Sequence, residues 1–210
     1  MCLQGTHVTD AAEATSWFSS YGFLTIAAPG AAQSRGQVLL CRPRFSFVDS
    51  WLELEGRFLM AEFRRRDSVF RIASVFASNR NPERDEFFTS CVDFADPSVP
   101  AILCGDFNAV FDRAKERRGS DPAVTVRESF VSLELLFREL CVLDVWRHLH
   151  PDLYAYTWLK PDGSLSPRID LIRDLKIRGR EDLGRLPEVT LTFDTCARVP
   201  TAELIPVLLS

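Results

Sequence analysis

Short apolar runs punctuated by glycine and proline dominate the first third of the chain. The runs are rich in β-branched and aromatic residues, and the segments between them contain Pro29-Gly30, Pro43, Gly56 and Asp67-Ser68. Such spacing is typical of antiparallel strands joined by turns. We therefore predict five strands, over Gly22 to Ala28, Gln37 to Arg42, Phe45 to Leu54, Phe58 to Arg65 and Val69 to Ala77. The segment from Met1 to His7 is not assigned to a strand.

Three segments carry helix signals instead. Asp10 followed by Glu13 resembles an N-cap with its third-position acid, and it predicts a helix to about Ser20 that packs Trp17 in the core. Asn81-Pro82-Glu83 predicts a second helix start. Thr125 and Glu128 form a capping box. That box opens a third helix, whose core-facing residues are Phe130, Leu133, Phe137 and Leu140.

One apolar run, Val99 to Ala109, ends in polar residues. Ala101 to Cys104 are continuously apolar, which favours a strand buried on both faces. Asp106 and Asn108 then follow two residues apart, so on an extended chain they point to the same side. A carboxylate and an amide placed together suit chemistry on a phosphate, although a helix cap or a simple turn would also account for the pair.

The later part of the chain contains a second aspartate in an apolar context. Ala155 to Trp158 and Arg168 to Ile172 are predicted as strands on either side of a Pro161-Asp-Gly163 turn, and the second of them holds Asp170. A salt bridge with Arg168 is the alternative role for Asp170. Beyond Arg173 the pattern weakens, and the two remaining strand candidates are Val189 to Phe193 and Leu204 to Leu209.

Composition indicates one folded domain over residues 1–210. The chain is 46% hydrophobic and has sixteen Phe and four Trp, which argues against disorder. A net charge of −4 neither supports nor excludes a DNA partner. The six scattered cysteines suggest reduced thiols in an intracellular protein, nuclear or cytoplasmic. No membrane span or secretion signal is evident, and nothing indicates an obligate protein partner.

Five motifs in order resemble one known family. They are Leu3-Gln-Gly-Thr-His7, Val75-Phe-Ala-Ser-Asn79 with the following Arg80 to Phe88, Gly105-Asp-Phe-Asn108, Tyr156-Thr-Trp158 and Arg168-Ile-Asp170. Together they resemble the endonuclease/exonuclease/phosphatase family, and within it the apurinic-like endonuclease domain of LINE-type retrotransposons. The resemblance covers roughly residues 1–172. It implies an α+β fold of the DNase I type: a four-layered α/β/β/α sandwich of two mixed sheets, incomplete at its N- and C-terminal edges.

The resemblance also implies a chemistry and a set of site residues. The family hydrolyses phosphodiesters with Mg²⁺, which stabilises charge on the phosphate and the leaving oxygen. Asp106 would be the base that activates water, Asn108 an amide that orients the phosphate, and Asp170 the carboxylate that orients a catalytic imidazole. Thr157, Trp158 and Asn79 would contact the substrate, which for the retrotransposon domains is DNA.

Four departures from the family pattern alter this expectation. Gly5 occupies the position of the glutamate that binds the metal, and Phe76 replaces a tyrosine. The family's first strand, ending in a site asparagine, would precede Met1, and no Ser-Asp-His run occurs near the C-terminus. Removing one such group typically costs about 100- to 1000-fold in rate. We therefore expect a truncated, degenerate domain whose activity is lost or weak.

Other readings remain open at this point. The domain could bind nucleic acid without cleaving it, or it could hydrolyse a phosphoester that is not a nucleic acid, such as a phosphoinositide or a sphingolipid. His148 and His150 suit a solvated helix end better than a metal site, and His7 is structural or contacts phosphate. The arginine runs, Arg64 to Arg66 and Arg117 to Arg118, could touch a DNA backbone, but runs at turns usually form solvated faces.

Overall fold

The protein was analysed as a computed structural model. The structure describes residues 1–30, 35–53, 55–111, 113–119, 131–167 and 169–175. Within these residues, none of the helices combines the length and the apolar character needed to cross a membrane.

The described part of the chain contains eleven strands and five helices. In chain order they are β1 (Cys2–Gln4), α1 (Ala11–Ser19), β2 (Leu24–Ala28), β3 (Gln37–Cys41), β4 (Ser46–Glu53), β5 (Phe58–Arg65), β6 (Ser68–Phe76), α2 (Asn81–Val92), β7 (Ala101–Asp106), α3 (Arg113–Glu116), β8 (Arg117–Arg118), α4 (Val131–Glu139), β9 (Val142–Asp144), α5 (Val145–Leu149), β10 (Ser166–Pro167) and β11 (Asp170–Leu175).

Two of the sheets form the body of the molecule. The larger has the strand order β4-β5-β6-β7-β11-β9 and is mixed, since β6 and β7 run parallel and its other pairs are antiparallel. The smaller has the order β1-β3-β2 and is antiparallel among the described residues. A two-stranded ladder of β8 and β10 lies apart from both sheets.

Three apolar clusters show how the layers stack. The first packs α2 and α4 on one face of the large sheet, through residues such as Phe88, Leu103 and Leu136. The second lies between the two sheets and includes Leu39 and Phe63. The third lies under α1, on the outer face of the small sheet. The order of layers is therefore helix, sheet, sheet, helix, which confirms the predicted α/β/β/α sandwich.

Several sequence predictions are confirmed at the level of single elements. The strand predicted over Phe58 to Arg65 has those bounds, and Asp10 caps α1 by accepting a hydrogen bond from the Ala12 backbone N–H at 2.9 Å. The central strand, the helix at Asn81 and the turn at Pro161 are also present. The capping box at Thr125 and Glu128 and the two C-terminal strand candidates lie outside the described residues.

Two predictions about local structure are wrong, and one strand was not predicted. Ala155 to Trp158 is not a strand, because the N–H groups of Thr157 and Trp158 both turn to one acceptor, the Pro167 carbonyl, at 3.0 and 3.1 Å. Trp17 is 43% exposed rather than in the core. Ala14 and Phe18, four residues apart, face the small sheet, so Trp17 lies beside the buried stripe. Residues 2–4 form a strand that the sequence reading did not assign.

Candidate functional site

Four strand ends meet at one rim of the sandwich. In the large sheet, Phe76 at the end of β6 is paired with Asp106 at the end of β7, and Asp106 is also opposite Asp170, the first residue of β11. Gln4, the last residue of β1, reaches across from the small sheet. The backbone therefore brings the three predicted catalytic positions, 106, 108 and 170, to one place.

Gln4 connects the two sheets through its side-chain amide. Its Oε1 accepts a hydrogen bond from the Asp106 backbone N–H at 3.2 Å, and its Nε2 donates to the Val75 carbonyl and, at 3.3 Å, to the Ser74 hydroxyl. Gly105 makes this approach possible. It has a φ of +140°, and a Cβ there would lie 2.0 Å from both Gln4 Nε2 and the Val75 oxygen. The glycine of the Gly-Asp-Phe-Asn run is thus required by two close contacts, one with Gln4 of the small sheet and one with the neighbouring strand of the large sheet.

Asp106 and Asn108 form a tight turn at the end of β7. The Asp106 Oδ1 accepts from the Asn108 backbone N–H at 2.8 Å, while Asn108 takes a left-handed conformation with a φ of +48°. Asn108 Nδ2 donates to the Ala77 carbonyl at 2.9 Å, and the Ala77 N–H donates to the Asp106 carbonyl at 2.8 Å. The aspartate and the asparagine are therefore held in place by backbone groups of two adjacent strand ends. Asp106 and Asn108 therefore have the turn-forming role that the sequence offered as an alternative. The turn also leaves both residues at the rim, where a ligand could contact them.

A buried arginine supports this turn from below. Arg84 of α2 is only 6% exposed. Its Nη1 donates to the Asn108 carbonyl at 2.6 Å, and its Nη2 donates to Asn81 Oδ1. A guanidinium removed from water needs several acceptors to offset the loss of hydration. Arg84 thus fixes the position of the Asn108 backbone relative to the start of α2.

The loop that contains the predicted substrate contacts is joined to the same strand end. Thr157 Oγ1 accepts from the Ile169 N–H at 3.0 Å, and the Ile169 carbonyl accepts from the Phe107 N–H at 2.9 Å. Trp158, next to Thr157, is 36% exposed and is not part of a core cluster among the described residues. Asn79 is exposed, in the segment between β6 and α2. The roles of these three residues toward a substrate stay predictions.

Gly5 and Phe76 occupy the other part of the rim. Gly5 has a φ of +58°, and no atom lies within 4 Å of the place where its Cβ would be. Phe76 is half-buried, its ring centroid lies 5.8 Å from the guanidinium carbon of Arg57, and its carbonyl accepts from Arg57 Nη1 at 3.2 Å. This side of the rim therefore presents a glycine and an aromatic ring, without an acid at position 5.

Charged side chains beside the rim are paired with one another. Glu83 accepts from the Ser78 hydroxyl at 2.8 Å and from Arg80 Nη1 at 3.2 Å. The Ser78 hydrogen bond, together with Arg80, holds the pKa of Glu83 below its ordinary value. Burial lowers the pKa of the Arg57 guanidinium, and the neighbouring charge of Arg35 adds to this effect.

The three histidines lie in two places. His7 is exposed with a φ of +56°, and His148 and His150 lie at the C-terminal end of α5, as expected for a solvated helix end.

The described residues do not match the arrangement that a family Mg²⁺ ion would need. A hard cation of this kind takes carboxylate oxygens, and position 5, where the family glutamate would provide one, has no side chain. Gln4 beside it is already engaged with Asp106, Val75 and Ser74. Nowhere in the described ranges do three His, Cys, Asp or Glu side chains come together as a possible metal site.

Two supporting residues were missed by the sequence reading. Gln4 was noted only as part of the Gln-Gly-Thr-His run, and Arg84 only as part of the segment that follows Asn79. Both lie inside recognised motifs, but their roles depend on partners far away in the chain: Ser74, Val75 and Asp106 for Gln4, and Asn108 for Arg84. The sequence signal for Arg84 is its spacing: an arginine three and four residues before Phe87 and Phe88 lies on the apolar face of the helix, where a charged side chain needs partners.

Comparison with solved structures shows which fold the chain has. The AP endonuclease from Archaeoglobus fulgidus superposes with a TM-score of 0.65 at 16% identity, over 82% of this chain and 74% of that one. The 3'-5' exonuclease NExo from Neisseria meningitidis gives 0.63 at 21% identity, over 83% of this chain and 75% of that chain. These likenesses establish the DNase I-like fold.

A relative in sequence comes from a transposon. The chain is 30% identical over 181 residues to the transposon TX1 uncharacterized 149 kDa protein of Xenopus laevis, a match that covers 81% of this chain and 13% of that protein. The chain thus spans about an eighth of the length of this relative. The retrotransposon resemblance of the motifs is confirmed. With a match over residues 1–197, the chain belongs to the Endonuclease/Exonuclease/phosphatase family.

Proposed function

We propose that the chain is an endonuclease-like domain of retrotransposon origin whose ancestral reaction was Mg²⁺-dependent hydrolysis of DNA phosphodiesters, and whose turnover is lost or strongly reduced. The observation that carries the proposal is Gly5, which stands in open space at the rim, where the family has its metal-binding glutamate. The family membership supports the reaction class, and the transposon relative supports DNA as the substrate.

The arrangement around Asp106 and Asn108 keeps what is needed to orient a phosphate. The Asp106 carboxylate lies at the end of β7, and Asn108 is locked beside it. A carboxylate at position 5 would hold the Mg²⁺ that stabilises charge developing on the phosphate in the transition state, and Gly5 cannot supply one. The hydroxyl missing at Phe76 removes a further donor. We expect each loss to cost on the order of 100-fold in rate.

A plasmid-nicking assay in Mg²⁺ tests the proposal directly. Supercoiled DNA is incubated with the wild-type chain, with Asp106→Ala and with the wild type in excess EDTA, and the open-circular product is measured. We expect the three samples to give the same slow background. Nicking in Mg²⁺ that disappears both in Asp106→Ala and in EDTA would show a working enzyme and refute the loss of turnover.

The geometry assigned to position 5 has its own test, which is independent of activity. In Gly5→Glu the new side chain has room, because nothing lies within 4 Å of the added Cβ, although the φ of +58° is unfavourable for any L-residue. We expect Gly5→Glu to bind Mg²⁺ or Mn²⁺ in calorimetric titration more tightly than the wild type. Gly5→Gln has the same size and strain but no charge, so equal binding by the two variants would refute the assignment.

A further inference from the structure

A group of five arginines lies at the end of the sandwich opposite the rim. The group is called here the arginine pole and consists of Arg42 and Arg44 from the β3–β4 connection and Arg64, Arg65 and Arg66 from the β5–β6 hairpin. The hairpin is the start of β6, whereas the rim is at its end. Since a strand rises about 3.3 Å per residue, the nine residues of β6 separate the two places by roughly 25 Å.

The two arginine segments are brought together by one aromatic ring. The guanidinium carbon of Arg44 lies 5.1 Å from the ring centroid of Phe45, and that of Arg65 lies 5.9 Å from the same centroid. Phe45 in turn packs against Phe63 and Phe70, with centroid distances of 6.5 and 5.6 Å. Arg64 is paired with Ser46 in the β4–β5 ladder. The cluster is therefore built by the fold and does not follow from the Arg64 to Arg66 run alone.

The charge of this surface contrasts with that of the whole chain. The chain has a net charge of −4, yet on the hairpin turn three arginines are accompanied by one acid, Asp67. Within the described ranges no salt bridge involves Arg42, Arg64, Arg65 or Arg66. Near the rim, by contrast, Arg35 pairs with Glu55 and Arg80 with Glu83. The positive charges of Arg42, Arg64 and Arg66 can thus serve an anionic ligand.

An exposed aromatic side chain belongs to the same cluster of rings as Phe45. Phe47 lies on β4, the edge strand of the large sheet, and is 43% exposed. It contacts Phe63, the ring that Phe45 also contacts, at a centroid distance of 6.3 Å. Guanidinium groups bind phosphates through paired N–H donors. Exposed aromatic rings near such guanidinium groups stack on bases, whose faces are accessible in a single strand.

We propose that the arginine pole is a binding surface for single-stranded nucleic acid, separate from the rim. The phosphates would lie on Arg42, Arg64 and Arg66, all three of which are exposed, and a base would stack on Phe47. An acidic peptide or an anionic membrane would neutralise the arginine charges but would not supply a base to stack on the exposed Phe47 ring. Binding at the pole does not depend on whether the rim retains turnover.

Fluorescence anisotropy with a labelled single-stranded oligonucleotide of about 20 nucleotides tests this proposal. The titrations are run in EDTA, at several KCl concentrations, with the full chain. The triple variant Arg42→Gln/Arg64→Gln/Arg66→Gln removes three exposed charges from the pole. We expect it to bind at least about tenfold more weakly and to lower the slope of log K against log salt by about 2, since each phosphate contact contributes roughly 0.7 for single strands.

A matched control changes the same number of charges elsewhere. Arg80→Gln/Arg138→Gln/Lys160→Gln replaces three other cations whose side chains are 78%, 74% and 44% exposed, and we expect its affinity to stay within about threefold of the wild type. Equal weakening in both triple variants, or no weakening in the pole variant, would overturn the proposal. Circular dichroism and the thermal transition of each variant confirm that it is folded.

Two further measurements identify the kind of ligand. Phe47→Leu keeps an apolar side chain but removes the ring, and we expect it to weaken oligonucleotide binding about fivefold or more. An unchanged affinity would overturn the single-strand assignment. Polyglutamate of matched charge and phosphatidylserine vesicles are then used as competitors. We expect both to compete poorly, and competition as strong as that of unlabelled oligonucleotide would refute nucleic acid as the ligand. Since EDTA is present throughout, failure here leaves the plasmid-nicking result unaffected.

Discussion

The two parts of the rim differ in how firmly their residues are held. On one part, hydrogen bonds link both sheets and α2. They involve Gln4, Asp106, Asn108 and Arg84, and Gly105 allows the close approach of Gln4. On the other, Gly5 has no neighbour within 4 Å of its Cβ position, and Phe76 keeps only the ring of the family tyrosine. These two parts are called the braced half and the open half below.

This difference explains which family residues remain. Residues of the braced half also hold the fold together, so replacing one of them destabilises the domain whether or not the domain is an enzyme. Gly5 has no side chain to pack, Phe76 is half-buried beside Arg57, and the resemblance implies that their family counterparts act in the chemistry. The surviving Gly-Asp-Phe-Asn motif is therefore evidence of fold and ancestry, and the open half is where information about activity lies.

The largest difference between the halves is expected in the free energy of unfolding when each of the two rim glycines, Gly105 and Gly5, is replaced by alanine. In Gly105→Ala the added Cβ would lie 2.0 Å from Gln4 Nε2 and the Val75 oxygen, so both the Gln4 side chain and the backbone of the neighbouring strand β6 must shift. We expect a loss of about 3 kcal/mol or more in the free energy of unfolding, measured by urea denaturation. Gly5→Ala pays only for its left-handed backbone, about 1 kcal/mol. Equal losses would refute the distinction between the halves.

The next effect is expected at the first turn of α2. Arg84→Met keeps the aliphatic length but removes the donors to the Asn108 carbonyl and to Asn81, and we expect it to cost about 2 to 3 kcal/mol. Arg80→Met, four residues earlier, is the control. Arg80 is 78% exposed, and its ion pair with Glu83 is a surface one, so its loss should cost about 0.5 kcal/mol or less. Comparable urea midpoints for the two variants would contradict the supporting role of Arg84.

A structural feature could be predicted from the sequence when neighbouring residues determine it, and could not when its cause lies in a distant segment. The strand over Phe58 to Arg65 and the Asp10 cap were predicted correctly because neighbouring residues determine them. Gly105 was recognised only as part of the Gly-Asp-Phe-Asn motif, because one reason for a glycine there is the approach of Gln4, 101 residues earlier in the chain. The strand predicted over Ala155 to Trp158 was wrong because its N–H groups bond to Pro167.

The candidate site shows the same limit. Asp106 and Asn108 were found because they lie only two residues apart at the end of an apolar run. The order of the family motifs predicted Asp170 and Thr157 as further site residues, and the strand pairing of 106 with 170 places position 170 at the same rim. The bracing by Gln4 and Arg84 was not predicted, because hydrogen bonds between distant segments leave no periodic pattern. Of the arginine pole, likewise, only the Arg64 to Arg66 run was noted from the sequence, because the contacts of Arg44 and Arg65 with Phe45 depend on the fold.

A smaller effect is expected within the Asp106–Asn108 turn. Asn108→Ala loses the hydrogen bond to the Ala77 carbonyl and must also adopt the φ of +48°, so we expect it to cost about 2 kcal/mol. Asn108→Gly loses the same hydrogen bond without the backbone strain and should cost about 1 kcal/mol. Urea denaturation of both variants measures the difference. If glycine were as costly as alanine, the left-handed backbone would not be part of what selects asparagine here.

The smallest effect on stability is expected in the open half, from Phe76→Tyr. The ring is half-buried beside Arg57, and a hydroxyl added at a rim position should change the free energy of unfolding by no more than about 0.5 kcal/mol. Tyrosine alone should not produce Mg²⁺-dependent nicking, because position 5 still lacks a carboxylate. In the double variant Gly5→Glu/Phe76→Tyr both missing groups are present, and we expect EDTA-sensitive nicking above that of either single variant. A double variant that binds the metal but still fails to nick would show that replacing these two residues is not enough to restore turnover.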